Sequence, residues 1–245
     1  MKGISFQEGV EFKLSIQGET WLQGEALSGD LEANVKNAGA SLGEMRVILA
    51  ETTERKLKSK SVDGFHVLEE AKSTTSPLQF NFKLPVDARI SDKPGSLFIL
   101  YGSRSDPHTL GMLKLAIAPH HLIHDLIELM RTEFRFALKN LTAGKGNFVE
   151  AKLEPSGSKE WAQLEELILA AKLTDETLET KFIFNRNAVD AIKAGLQTKI
   201  EKREIERSWE LSEFVHDFNG RLNKDAATTA IQNVISEYRS AGWLA

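Results

Sequence analysis

The stretch from Ser76 to His120, SPLQFNFKLPVDARISDKPGSLFILYGSRSDPHTLGMLKLAIAPH, limits what this chain can fold into more than any other. Apolar strand patterns follow one another there, separated by loops rich in Pro, Gly and Asp. Phe80, Phe82 and Leu84 alternate with Gln79, Asn81 and Lys83, the period-two pattern of a strand with one buried face and one wet face, and Pro85 stops it. Leu97 to Tyr101 is a continuous apolar run bounded by Pro94-Gly95 and Gly102-Ser103, which predicts a strand buried on both faces. Alternation returns from Met112 to Ile117 before Pro119 ends it. These are strands of a sandwich.

More strands precede them. Val10, Phe12, Leu14 and Ile16 alternate with polar residues, and Met45, Val47 and Leu49 do the same. Thr20 to Val35 fits either two strands joined by Ser28-Gly29-Asp30 or one long bent strand. Glu51 to Ala71 reads as an edge hairpin. Its basic run from Arg55 to Lys60 is surrounded by acids, and lysines on edge strands discourage aggregation.

At His120 to Met130 the period changes. Leu122, Ile123, Leu126, Ile127 and Met130 share one helical face, and Pro119 suits the entry. Strand alternation resumes at Phe134, Phe136 and Leu138. The stretch Asn147 to Asn187, NFVEAKLEPSGSKEWAQLEELILAAKLTDETLETKFIFNRN, then orders a phenylalanine-led strand, Pro155, a Gly-Ser turn, a strand carrying L-E-E-L, a turn at Thr174-Asp175-Glu176, and a strand Leu178 to Phe184 closed by Asn185-Arg186. Ile205, Trp209 and Leu211 share one parity, so a last strand is expected from Arg203 to Leu211, with a helix as the competing reading of the segment. A capped helix follows from Asn223 to Tyr238, with Ala227, Ala230, Ile231, Val234, Ile235 and Tyr238 as its stripe.

The F-x-F-x-L-P segment, the Pro-Gly turn and the central strand after it resemble the N-terminal domain of arrestin-fold proteins. With the second stretch added, the whole chain is similar to the bacterial sporulation-control protein family, although Asn185-Arg186-Asn187 stands where that family often has Asp-Arg-Arg. The resemblance implies a mainly β chain of two arrestin-like sandwiches joined by a short helix, with a C-terminal helix. The expected divisions are 1–119, a connecting helix 120–131, a second sandwich 132–212 and a helical tail 213–245. It further implies a non-enzymatic scaffold in bacterial developmental or cell-cycle control, binding other proteins through edge strands and the interdomain groove. A charged cluster at the domain junction is part of that expectation, with Arg104, Asp106 and Arg186 as its candidates.

Composition narrows the alternatives. A hydrophobic share of 41% beside 27% charged residues suits a folded chain with a core. A net charge of −4 argues against a nucleic-acid partner. The absence of cysteine excludes disulfides, thiolate zinc sites and a Cys nucleophile, and suits a cytoplasmic setting. No window approaches the roughly 18 apolar residues of a membrane span, and no signal peptide is evident.

No catalytic, cofactor or metal residues are expected. His120 and His124 have the spacing of two ligands on one helical face, but H-E-x-x-H needs Glu at position 121, which is His121, and only Asp125 or Glu128 offers a third ligand. Glu165 and Glu166, like Glu69 and Glu70, are adjacent on strands and point to opposite faces. Phosphate loops and nucleophile elbows are missing. An alternative reading is a carbohydrate- or small-ligand-binding sandwich, which would need several of Trp21, Trp161, Trp209, Trp243, Tyr101 and Tyr238 along one groove.

The tail stripe must be buried, because an isolated helix of that length is marginal in water. Ile231, Val234, Ile235, Tyr238 and Trp243 are therefore candidates for packing on the chain itself, where the tail masks a partner site until displaced, or on a second copy in a homodimer.

Overall fold

The computed structural model describes residues 1–53, 55–56, 65–92, 95–157, 161, 163–190, 197–216 and 220–240. The chain is mainly β and divides into two compact units, Met1–Ala118 and Pro119–Ala245. The basic run from Arg55 lies for the most part outside the described residues.

In the first domain, β1 (Lys2–Gln7), β2 (Val10–Ile16), β4 (Ala26–Val35) and β7 (Leu78–Lys83) form one antiparallel sheet in the order β1-β2-β4-β7. A second sheet, in the order β6-β5-β8-β9, is built from β5 (Met45–Thr53), β6 (His66–Ser73), β8 (Gly95–Gly102) and β9 (Gly111–Lys114). The alternating residues Val10, Phe12, Leu14, Phe80 and Phe82 of the first sheet meet Val47, Leu49, Leu97, Ile99 and Tyr101 of the second in one core. The other parity of β8 supplies Phe98 and Leu100 to a separate cluster with Ile48, Ala50 and Leu110, with Phe65 packed against it. Both faces of β8 are thus covered, which is why its sequence runs apolar without alternation.

Of the two alternatives for Thr20 to Val35, the continuous strand is the one that forms across Ser28-Gly29-Asp30, and one expectation changes. Ser28-Gly29-Asp30 is not a turn; β4 runs through it, with Gly29 opposite Ile16 on one side and Phe80 on the other. The strand expected from Met112 to Ile117 ends at Lys114, and β10 (Ile117–Ala118) instead pairs parallel with β3 (Trp21–Leu22).

Among the described residues the second domain carries its strands in one antiparallel sheet, β11 (Phe136–Ala143), β12 (Val149–Pro155), β13 (Leu164–Leu173), β14 (Thr177–Asp190) and β15 (Gln197–Glu210), in sequence order. Three helices accompany it among the described residues: α1 (His121–Thr132), α2 (Leu211–Phe214) and α3 (Lys224–Tyr238). Among the described residues the layer over the sheet is helical: α1 lies on β11 and β13, and α3 lies on β15 and on α1. The helix expected as a connector and the helix expected as a tail are therefore both part of this domain's core. The physical reason is that the sheet offers one inward row, including Leu167, Leu169, Phe182, Phe184 and Ile205, and the apolar stripes of α1 and α3 complete its burial. Ile231 and Tyr238 are wholly buried, and Tyr238 stacks on Phe184 with ring centroids 4.0 Å apart.

Candidate interaction surface

The β1–β2 hairpin turns on two residues, Glu8 and Gly9, both with positive φ (50° and 81°), the left-handed pair that a tight hairpin turn requires. Gln7 and Val10 flank it and form the first pair of the ladder. Residues that exchange hydrogen bonds alternate from there, so Gly3, Ser5 and Gln7 bond to β2. Met1 continues the same parity: its amino group donates to the Ile16 carbonyl at 2.7 Å and its carbonyl accepts from the Ile16 amide at 2.8 Å. The backbone N–H and C=O groups of Lys2, Ile4 and Phe6 consequently point away from β2. No other strand pairs with β1 among the described residues.

The inward side of β1 is held firmly. Gln7 is 4% exposed, donates to the Tyr101 carbonyl at 3.3 Å and accepts from the Ser103 amide at 3.0 Å, which satisfies a buried amide at the junction of the two sheets. The Tyr101 ring fills the space beside Gly3 and Gly111: a Cβ on Gly3 would lie 2.6 Å from Tyr101 Oη, and one on Gly111 would lie 2.7 Å from Tyr101 Cζ. The outward side is different. Ile4 is 62% exposed and Phe6 is 70% exposed, beside Lys13 and Glu11 on β2. Lys36 lies 3.1 Å from the Glu11 carboxylate and holds it below its ordinary pKa.

Comparison with the other edges singles out β1. The edge of β7 is occupied at Lys83, whose amide donates to Glu69 of β6 at 3.0 Å. β6 carries Glu69, Glu70 and Lys72 and a register shift against β5, and β11 carries Lys139 and a register shift against β12. β9 is a short strand, and β15 is rich in acids and bases from Glu201 to Arg207. Such charges, bulges and short lengths are the usual guards against edge pairing. Only β1 has two large apolar side chains exposed on one strand among the described residues. The alternation of Ile4 and Phe6 with Gly3 and Ser5 was a legible strand signal that the sequence reading passed over.

The candidates from sequence lie outside β1. Arg104 pairs with Glu8 at the hairpin turn, 3.3 Å away, and the Asp106 side chain caps a 3-10 turn by accepting from the His108 amide at 3.0 Å. Both belong to the first domain, whereas Arg186 belongs to the second and grips Glu201 through Nε and Nη2 at 3.0 and 2.8 Å. Ile231, Val234, Ile235 and Tyr238 are core; Trp243 lies outside the described residues. The other aromatic candidates for sugar stacking, Trp21, Tyr101, Trp161, Trp209 and Tyr238, are each at most 8% exposed, so none offers an open ring face. A cleft of about 470 Å³ in the second domain is lined by Glu133, Arg135, Trp161 and Arg239 among others, with the Arg239 guanidinium 5.0 Å from the Trp161 ring centre.

The histidines stabilise a helix end. His120 caps α1, its Nδ1 accepting from the Leu122 amide at 3.3 Å, and His121 Nε2 lies 2.9 Å from the Gly220 carbonyl. Asp125 pairs with Arg221 at 3.3 Å. Among the described residues no three His, Cys, Asp or Glu side chains are grouped to hold a metal. Burial, reinforced by the neighbouring His121, pushes the His120 imidazole from 6.5 down to about 4, in keeping with a neutral Nδ1 that accepts a hydrogen bond. This neutral form is favoured in the folded state, so its stabilising contribution is complete above pH 6.5 and is lost as pH falls from 6.5 towards 4. His120→Asn keeps an oxygen cap but does not titrate. The melting temperature of the native protein should therefore fall more steeply than that of the variant over this interval, and parallel curves would show that His120 does not carry the effect.

No family model matches the sequence, and no curated protein matches it. Among solved structures, that of Spo0M, the sporulation control protein of Bacillus subtilis, is similar with a TM-score of 0.64, covering 94% of this chain and 99% of that one at 12% identity. Both domains thus have counterparts in one solved protein, and the likeness is one of fold. No helix among the described residues is long and apolar enough to cross a membrane.

Proposed function

We propose that this chain is a non-enzymatic, cytoplasmic regulatory protein of the bacterial sporulation-control type, which binds an extended segment of a protein partner by strand addition along β1. The observation that carries the reading is the β1 edge itself: outward amide and carbonyl groups at Lys2, Ile4 and Phe6, with Ile4 and Phe6 exposed between them. An added strand gains affinity from those main-chain groups and specificity from alternate side chains. The similarity in fold to a sporulation control protein supports a regulatory role.

The test uses a displayed library of seven-residue peptides selected on the full chain. Ile4→Pro removes one outward donor and one exposed side chain but leaves the β1–β2 ladder intact, because the Ile4 amide does not face β2. Recovered peptides should alternate apolar and polar residues and lose at least tenfold in affinity for Ile4→Pro, about 1.4 kcal/mol. Peptides that bind native protein and Ile4→Pro equally, or a library that yields none, would remove β1 as the binding edge.

A further inference from the structure

We infer that β1 also pairs with β1 of a second copy of this chain, antiparallel about Ile4, and that this self-pairing closes the binding edge until a partner segment displaces it. The inference rests on the strand-addition reading and adds its regulation. A symmetric interface must be complementary to itself, and β1 meets that condition in one register. Outward backbone groups occur on Lys2, Ile4 and Phe6, three positions symmetric about the middle one. Setting Ile4 opposite the second Ile4 places Lys2 of each copy opposite Phe6 of the other, so every outward group faces an outward group.

The side chains follow the same symmetry. On the solvent face the two isoleucines meet at the centre, and each phenylalanine receives the aliphatic stem and ammonium of the opposing lysine, a favourable contact for both parts of that side chain. Glu11 lies next to Phe6 in the same lateral row, adding a negative charge beyond the ring. The exposed apolar area of β1 is thereby covered, and the two four-stranded sheets become one sheet of a size that folded proteins commonly contain. No charge of like sign is set directly opposite another. A foreign segment must supply this pattern from its own sequence; a second copy already has it.

The chain contains no cysteine, so a single introduced thiol reports register without interference. Residues at a hydrogen-bonded antiparallel pair have Cα atoms about 5.5 Å apart, within the range a disulfide spans, whereas a shift by two residues moves them to roughly 7–8 Å. Ile4→Cys in the full chain, oxidised with oxidised glutathione, should give a covalent dimer, while Val67→Cys, half exposed on the β6 edge, should remain monomeric. Native protein should show a concentration-dependent dimer by sedimentation, and a peptide selected on β1 should slow the crosslinking of Ile4→Cys. Native protein that stays monomeric to its solubility limit, or crosslinking equal at positions 4 and 67, overturns self-pairing. If selected peptides still bind native protein and not Ile4→Pro, strand addition stands without its self-closure; if those peptides also bind Ile4→Pro, both readings fall.

Discussion

Ile231→Asp should cost the second domain about 4 kcal/mol, enough to unfold much of it under native conditions. Ile231 lies on α3 with no solvent exposure, beside the equally buried Ala227, Val234 and Tyr238. The substitution removes a core side chain and places a carboxylate on a helix pressed against β15 and α1, where no water reaches it. Trp161 and Trp209, which contact Phe136 and Phe214 at ring separations of 5.1 and 4.8 Å, make fluorescence in a urea titration a direct measure. Ser236→Asp, at an exposed position on the same helix, is the control and should shift the midpoint little. An unchanged midpoint for Ile231→Asp would mean that the helix detaches without loss of the core, which is what a masking tail requires.

Gly29→Ala should destabilise the first domain by about 3 kcal/mol, the upper part of the range for overpacking, with a fall in melting temperature of roughly 15 °C. A Cβ at that position would lie 2.3 Å from the Ser15 carbonyl oxygen and 2.7 Å from Cζ of Phe80. The ring can turn aside, but the carbonyl belongs to β2 in the interior of a sheet, and moving it disturbs the ladders on either side. Gly43→Ala makes a suitable comparison, since its nearest neighbour would be Ser103 Cβ at 3.7 Å. Equal melting temperatures for the two variants would show that β2 and β4 separate at little cost.

Gly29 also shows where sequence reading stops. Ser-Gly-Asp has the composition of a turn, and nothing in its neighbours reveals that the glycine is required by the close approach of the Ser15 carbonyl on the paired strand β2. Local periodicity was a better guide for β2, β7, β14 and α3, whose buried faces follow the expected parity. Periodicity identifies an apolar face without identifying its cover. The stripes of α1 and α3 were therefore legible as helices, whereas their shared role as the layer over one sheet was not. The same limit applies to Arg104, Asp106 and Arg186, whose partners are fixed by turns and cross-strand pairing. β1 is a different case: the alternation of Ile4 and Phe6 marks a strand in the sequence, but only the structure shows that its apolar face is the exposed one.

The tyrosine lodged between Gly3 and Gly111 bears on how tightly such an edge can bind. Chain termini ordinarily fray, and a frayed strand must be straightened before it can serve as a template. Here a bulky ring from the central strand of the opposite sheet fits against two residues that have no side chain, so β1 is seated along its length in the absence of any visitor. The conformational entropy of the docking strand is spent during folding, and an incoming segment has only its own disorder to overcome. Placing a methyl group at residue 3 would unseat the strand and weaken association without altering a single atom that a visitor touches.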